Sequence, residues 1–150
     1  MKKLSLIIPC YNESKNLPIL LDRCREIFSY EKDVEIIIVD NGSTDETSQV
    51  LDIVASDMSF IKRVDVVVNK GYGYGILAGL KVAEGEVIGW THADLQTEPS
   101  DVLIGLDFFQ KSSNPELLFV KGQRHGRPIL CLLYTSDAAD DLLCVDLGGR

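Results

Sequence analysis

Four short polar stretches carry most of the side chains able to do chemistry: Pro9-Cys10-Tyr11-Asn12-Glu13, Asp40-Asn41-Gly42-Ser43-Thr44-Asp45, Asn69-Lys70-Gly71-Tyr72-Gly73-Tyr74-Gly75 and Thr91-His92-Ala93-Asp94-Leu95-Gln96. The last sets a carboxylate, Asp94, two residues before a side-chain amide oxygen, Gln96. Hard divalent cations such as Mg2+ or Mn2+ prefer such oxygens and fill their other positions with water and phosphate. His92 either ligates a softer metal ion, hydrogen-bonds a ligand or packs against the sheet. Pro9 and Tyr11 offer flat surface, and Glu13 and Asp40 offer acceptors, which are the groups a nucleotide needs beside its base and ribose. Asn41 and Asp45 serve either as ligand contacts or as turn and cap residues. Lys70 and Gly71 suit a loop whose backbone approaches a phosphate, or else a tight helix entry with Lys70 solvated. The glycines at 71, 73 and 75 lack the dinucleotide fingerprint and do not open the first βα unit, which argues against a Rossmann dehydrogenase.

The segments that must position these residues alternate β-branched runs with amphipathic stretches from Leu4 to about Val120. That is the grammar of an α/β domain with a mostly parallel sheet. A strand over Leu4 to Ile8 is expected to stop at Pro9. Leu17, Leu20, Leu21, Cys24 and Ile27 then fall on one face of a helix. Val34 to Val39 reads as a strand buried on both faces, and Ser43 or Thr44 is expected to cap a second helix with Asp45 and Glu46 in its first turn. Further strands are expected at Val64 to Val68, Val87 to Trp90 and Leu117 to Val120. Further helices are expected after Gly71 and from Ser100 to Phe109. In an open sheet of this kind ligands bind beyond the carboxyl ends of the strands, where the four polar stretches lie.

Composition narrows the choices. The chain has 150 residues, 45% hydrophobic and 25% charged, so a real core and one compact domain are expected. Its net charge of −8 and the lack of a dense basic cluster disfavour nucleic acid as a partner. No apolar run approaches the length of a membrane span, and Met1-Lys2-Lys3 leads into too short an apolar stretch for a secretory signal. Cys10, Cys24, Cys131 and Cys144 lack zinc or thioredoxin spacing and read as reduced core thiols, consistent with a cytoplasmic setting.

Taken in order, Ile7-Ile8-Pro9-Cys10-Tyr11-Asn12-Glu13, Val39-Asp40-Asn41-Gly42-Ser43-Thr44-Asp45 and Ala93-Asp94-Leu95-Gln96 resemble the motifs of the family 2 glycosyltransferases. Within that family they are most similar to the polyprenyl- or dolichyl-phosphate mannosyl- and glucosyltransferase-like branch. The resemblance implies a GT-A fold, a Rossmann-like α/β sheet flanked by helices, here truncated at its C-terminal side. It implies an inverting transfer of sugar from a GDP- or UDP-sugar donor to a polyprenyl phosphate or glycan acceptor, with peripheral association at the cytoplasmic face of the membrane. The residues carried over are Asp94 for catalysis and, with Gln96 and His92, for Mg2+ or Mn2+. Pro9, Tyr11, Asn12, Glu13, Asp40, Asn41, Lys70, Gly71 and Arg124 are carried over for the donor. His92 departs from the family's Asp-x-Asp, standing where its first Asp is expected. Lys121-Gly122-Gln123-Arg124-His125-Gly126-Arg127 resembles the family segment that reaches a phosphate, with Arg127 second to Arg124; a solvated basic loop is the other reading.

Two rival readings remain. One is a nucleotide-binding fragment without transfer. The other is a nucleotidyltransferase, which lacks support because no Gly-rich, Arg- or Lys-bearing loop follows the first strand. Residues 1–130 are expected to form the nucleotide-sugar-binding part. From Cys131 to Arg150 the sequence resembles a translated library adapter and is expected to be a non-native tail.

Overall fold

The computed structural model describes residues 2–122 and the backbone of Cys144–Val145. The chain divides into two compact units, Met1–Val102 and Leu103–Arg150. The first holds a four-stranded parallel sheet in the order β3-β2-β1-β4, built from β1 (Leu4–Cys10), β2 (Val34–Asn41), β3 (Ile61–Val66) and β4 (Val87–Trp90). Three helices link these strands: α1 (Leu17–Phe28), α2 (Thr47–Val54) and α3 (Tyr72–Leu80). Every residue of β1 and β2 is buried, as the continuous apolar runs require of strands covered on both faces. The chain steps outward from β1 to β2 to β3, then returns past β1 to β4. Right-handed crossovers therefore set α3 on the face opposite α1 and α2. The reversal leaves a switch point between β1 and β4, where an open sheet admits a ligand.

Strand β1 does not stop at Pro9; it runs through to Cys10. Ile7 accepts a bond from Thr91 N at 3.0 Å, so its backbone polar groups face β4. Pro9 shares that parity, and β4 pairing has already ended at Ile7 opposite Trp90. The N–H that proline lacks would have had no ladder partner there, so the strand tolerates it. Two other boundaries also shift. β3 spans Ile61–Val66 instead of Val64 to Val68 because β2 ends at Asn41, opposite Val66. Beyond that point Val67 and Val68 are exposed. α2 begins at Thr47, without a capping bond from Ser43 or Thr44, because Asp45 supplies the acceptor for Thr47 N at 3.0 Å.

In the second unit the expected strand over Leu117 to Val120 is replaced by a 3-10 turn at Pro115–Leu117 and a two-residue strand, β5 (Val120–Lys121). β5 pairs antiparallel with β6 (Cys144–Val145) in a separate ladder, and a helix, α4 (Asp101–Lys111), precedes it. Proline at the turn's start and the brevity of the apolar run account for the loss. Arg124, Arg127, Cys131 and nearly all of the expected tail lie outside the described residues. Cys10 and Cys24 are buried free thiols, as expected. Burial pushes the Cys24 thiol up to about 12. Burial, with the charges of Asp40 and Glu13, raises that of Cys10 further, so neither serves as a nucleophile.

Candidate functional site

At the switch point a cleft of about 280 Å³ opens among the ends of all four strands. The loop after β1 gives it Pro9, Tyr11 and Glu13, β2 gives Asn41, the loop after β3 gives Asn69, Gly71 and Tyr72, and the loop after β4 gives His92 and Asp94. Of the sequence-predicted residues, Pro9, Tyr11, Glu13, Asn41, Gly71, His92 and Asp94 are thus brought together. Asn12, Asp40, Lys70 and Gln96 do not line it.

The entry to α3 builds one wall. Asn69 Oδ1 accepts the Gly71 N–H at 2.7 Å, and Asn41 Nδ2 donates to Gly71 O at 2.9 Å. Gly71 has φ +89 and ψ 164, a backbone region open in practice to glycine alone. Since the Asn41 amide nitrogen is engaged, its oxygen is left. Asn41 is 3% exposed, and its Oδ1 meets no hydrogen-bond partner among the described residues. The Tyr72 ring stacks on His92 with centroids 4.4 Å apart and planes 8° from parallel. His92 Nε2 is buried and likewise meets no partner among the described residues. Buried polar atoms are nearly always satisfied, so two such atoms on one cleft point to a ligand or ordered water.

Asp94 also lines the cleft, half-buried, its Oδ1 accepting the Gln96 N–H at 3.0 Å. Leu95 between them has φ +63, a left-handed backbone uncommon for a bulky side chain, so the Asp94–Gln96 turn is made at some cost in strain. Among the described residues no three His, Cys, Asp or Glu side chains gather as metal ligands. A lone carboxylate fits Mg2+ or Mn2+ only where phosphate and water complete the oxygen shell, as those ions accept.

The residues off the cleft have other work. Asp40 is 6% exposed and its Oδ1 accepts the Ser43 N–H at 3.0 Å, closing the turn after β2. Lys70 Nζ lies 4.7 Å from the centre of the Tyr74 ring, beside a separate valine-lined groove. Asn12 turns its side chain onto the second loop, accepting from Thr44 N at 2.8 Å. Burial raises the Asp45 carboxyl, but hydrogen bonds from Thr47 and Ser14 outweigh that and bring it down to about 2. Asn69 and Tyr72 were not singled out from sequence. The Asn-x-Gly turn signal points to Asn69, whereas nothing local marks Tyr72 as a neighbour of His92.

The four-stranded parallel sheet with its flanking helices has the GT-A fold, as its solved structural neighbours show. A mannosyltransferase from Pyrobaculum calidifontis in complex with GDP-Man and Mn2+ superposes with a TM-score of 0.69 at 23% identity, over 81% of this chain and 35% of that one. TarS of S. aureus in complex with UDP-GlcNAc gives 0.67 at 24% identity, over 85% and 36%. The glycosyl transferase family 2 model matches residues 5–117, and the chain belongs to that family. An undecaprenyl-phosphate 4-deoxy-4-formamido-L-arabinose transferase of Pectobacterium carotovorum is 39% identical over 108 residues, covering 68% of this chain and 32% of the relative. One of the same name from Pseudomonas fluorescens is 41% identical over 105 residues, covering 65% and 29%. The chain therefore spans about a third of the length of the curated relatives it matches.

Proposed function

We propose that the cleft binds a nucleoside-diphosphate sugar and that the chain is the donor-binding part of an inverting glycosyltransferase acting on a polyprenyl phosphate. The observation that carries this is the meeting of four strand-end loops of a family 2 chain around one cleft with two unsatisfied polar atoms, Asn41 Oδ1 and His92 Nε2. Glu13 and Asn41 accept hydrogen bonds from donor hydroxyls, and the half-exposed Tyr11 lies along the base. Arg124 and Lys70, the latter by leaving the Tyr74 ring over which it now lies, are the proposed cationic partners of the diphosphate. Asp94 is the residue that would hold Mg2+ or Mn2+, which when bound supplies positive charge against the departing diphosphate. A lipid phosphate acceptor is already an anion and needs no strong base. The relatives named for undecaprenyl phosphate support that acceptor, and with it action near a membrane surface. Among the described residues no helix is long and apolar enough to cross one.

Calorimetric titration of the 150-residue chain with UDP, GDP, UDP-GlcNAc and GDP-Man, with and without MnCl2, tests the reading. Saturable binding of at least one is expected, and no binding of any refutes it. The length relative to the relatives favours a second reading, nucleotide binding without transfer by this chain alone. Donor turnover by the 150-residue chain at a rate comparable to a full-length relative would sink that second reading. Residues 131–150 are proposed to be a translated adapter, and resequencing the gene across the codons for Pro128 to Asp141 decides it.

A further inference from the structure

We propose that Asn12 and Asp45 are positioning residues that lock the loops after β1 and β2 into one unit, holding Tyr11 and Glu13 at the cleft. The proposal rests on the donor-binding reading above. Asn12 has φ +57, and its exposed side chain turns onto the second loop. Its Oδ1 accepts from Thr44 N at 2.8 Å, Thr44 Oγ1 at 3.3 Å and Asp45 N at 3.3 Å. The second loop answers in kind. Asn12 N donates to Ser43 Oγ at 3.1 Å, Glu13 N to Thr47 Oγ1 at 2.8 Å and Ser14 N to Asp45 Oδ2 at 3.2 Å. Three successive backbone donors ahead of α1 thus find acceptors 31 to 34 residues away in sequence.

These six bonds use none of the cleft's unsatisfied atoms, so the latch is complete before any ligand arrives. Preorganisation of this kind lowers the ordering cost of binding. Asp45 is fixed in turn, its Oδ1 accepting from Thr47 N at 3.0 Å and Thr47 Oγ1 at 2.5 Å. Its low pKa keeps it a charged and therefore stronger acceptor throughout the ordinary pH range. Tyr11 and Glu13 flank Asn12 directly, so a loosened latch frees both.

The test compares Asn12→Gly with Asn12→Asp in the 150-residue chain. Glycine keeps the left-handed backbone without strain and removes the acceptor, whereas aspartate keeps an acceptor oxygen. Amide hydrogen exchange is read at Glu13, Ser14, Thr44 and Asp45, and UDP and GDP affinity by calorimetry. For N12G we expect faster exchange at all four amides and at least fivefold weaker binding, with N12D close to the parent. Protection kept at Glu13 and Ser14 in N12G, or unchanged affinity, overturns the latch. If the parent chain binds neither nucleotide, the donor-binding reading fails while the exchange data still decide the coupling of the loops. Should N12G not fold, Ser43→Ala removes a single latch bond, and unchanged exchange at Asn12, whose N–H it accepts, overturns the proposal.

Discussion

Three glycines in α3 differ only in what a methyl group would meet, so alanine at each should change stability with a sign set by the structure. At Gly73 nothing lies within 4 Å of a built Cβ. Alanine there gains helix propensity, about 0.5–1 kcal/mol. At Gly79 the new carbon would stand 2.5 Å from Ile7 Cγ2 and 3.2 Å from Val39 Cγ2. Both side chains are fully buried in the central strands, so neither can swing aside. Reaching ordinary contact requires the helix and sheet to part by about 1 Å. Overpacking of that sort costs about 1–3 kcal/mol, which exceeds the propensity gain. The expected net loss for Gly79→Ala is about 1–2 kcal/mol, lowering Tm by roughly 2–8 °C, while Gly73→Ala rises slightly. Gly75→Ala brings its Cβ to 2.8 Å from Pro9 Cβ and 3.5 Å from Asn41 Nδ2. It should lose stability and also disturb two lining residues of the cleft. Urea unfolding at constant m-value reads all three. A G79A chain at least as stable as G73A would show that α3 does not seat on β1 and β2 as described.

Asp94→Ala in the full-length gene product should abolish metal-dependent sugar transfer while leaving the unfolding midpoint within roughly 0.5 kcal/mol; retained turnover removes Asp94 from the site. Glu35 is 2% exposed, accepting from Ser5 Oγ at 2.5 Å and Glu84 N at 2.6 Å, with Lys62 Nζ at 2.8 Å. Burial raises its carboxyl, but hydrogen bonds from Lys62, Ser5 and Glu84 outweigh that and lower it. A depressed carboxyl stabilises the fold above the unfolded value, near 4.3, and that share is lost as pH falls through the folded value. Glu35→Gln should therefore be less stable at pH 7, with the gap narrowing as pH falls below about 4; a gap independent of pH refutes the assignment. His92→Asp would set a carboxylate against the negative face of Tyr72, so it should destabilise the chain by about 1 kcal/mol. In the Tyr72→Ser background most of that cost should vanish in a double-mutant cycle; an additive result denies the pairing.

The parallel sheet and its four polar edges were legible because strands buried on both faces read as unbroken apolar runs, and β1 and β2 do. The division of labour inside each loop was not. Asn12, Asp40 and Glu13 are all polar residues at a strand end, and local sequence gives each the same face value. What separates them is the group each meets, Thr44 and Asp45 across the gap for Asn12 and the turn amide of Ser43, in its own loop, for Asp40. The partners of Asn12 are known only once β1 and β2 lie side by side, whereas that of Asp40 depends on how its own turn closes. The extension of β1 through Pro9 was hidden for a like reason. Whether a proline breaks a strand depends on whether a neighbour is waiting for its N–H, and β4 is too short to be one.

That short fourth strand ties the fold to the site. Because β4 pairs only as far as Trp90 while β1 continues to Cys10, the sheet opens beside Pro9 at the point where strand order reverses. The proline ring faces the gap without an orphaned donor, and α3 approaches it through the bare edge at Gly75. The helix entry thereby delivers Gly71 to Asn41 and Tyr72 to His92. The imidazole of His92 lies flat on the phenol ring, an arrangement a carboxylate at that position could not make. The stacked Tyr72 ring therefore fixes the plane of His92 and leaves its Nε2, without a partner among the described residues, on the lining of the cleft.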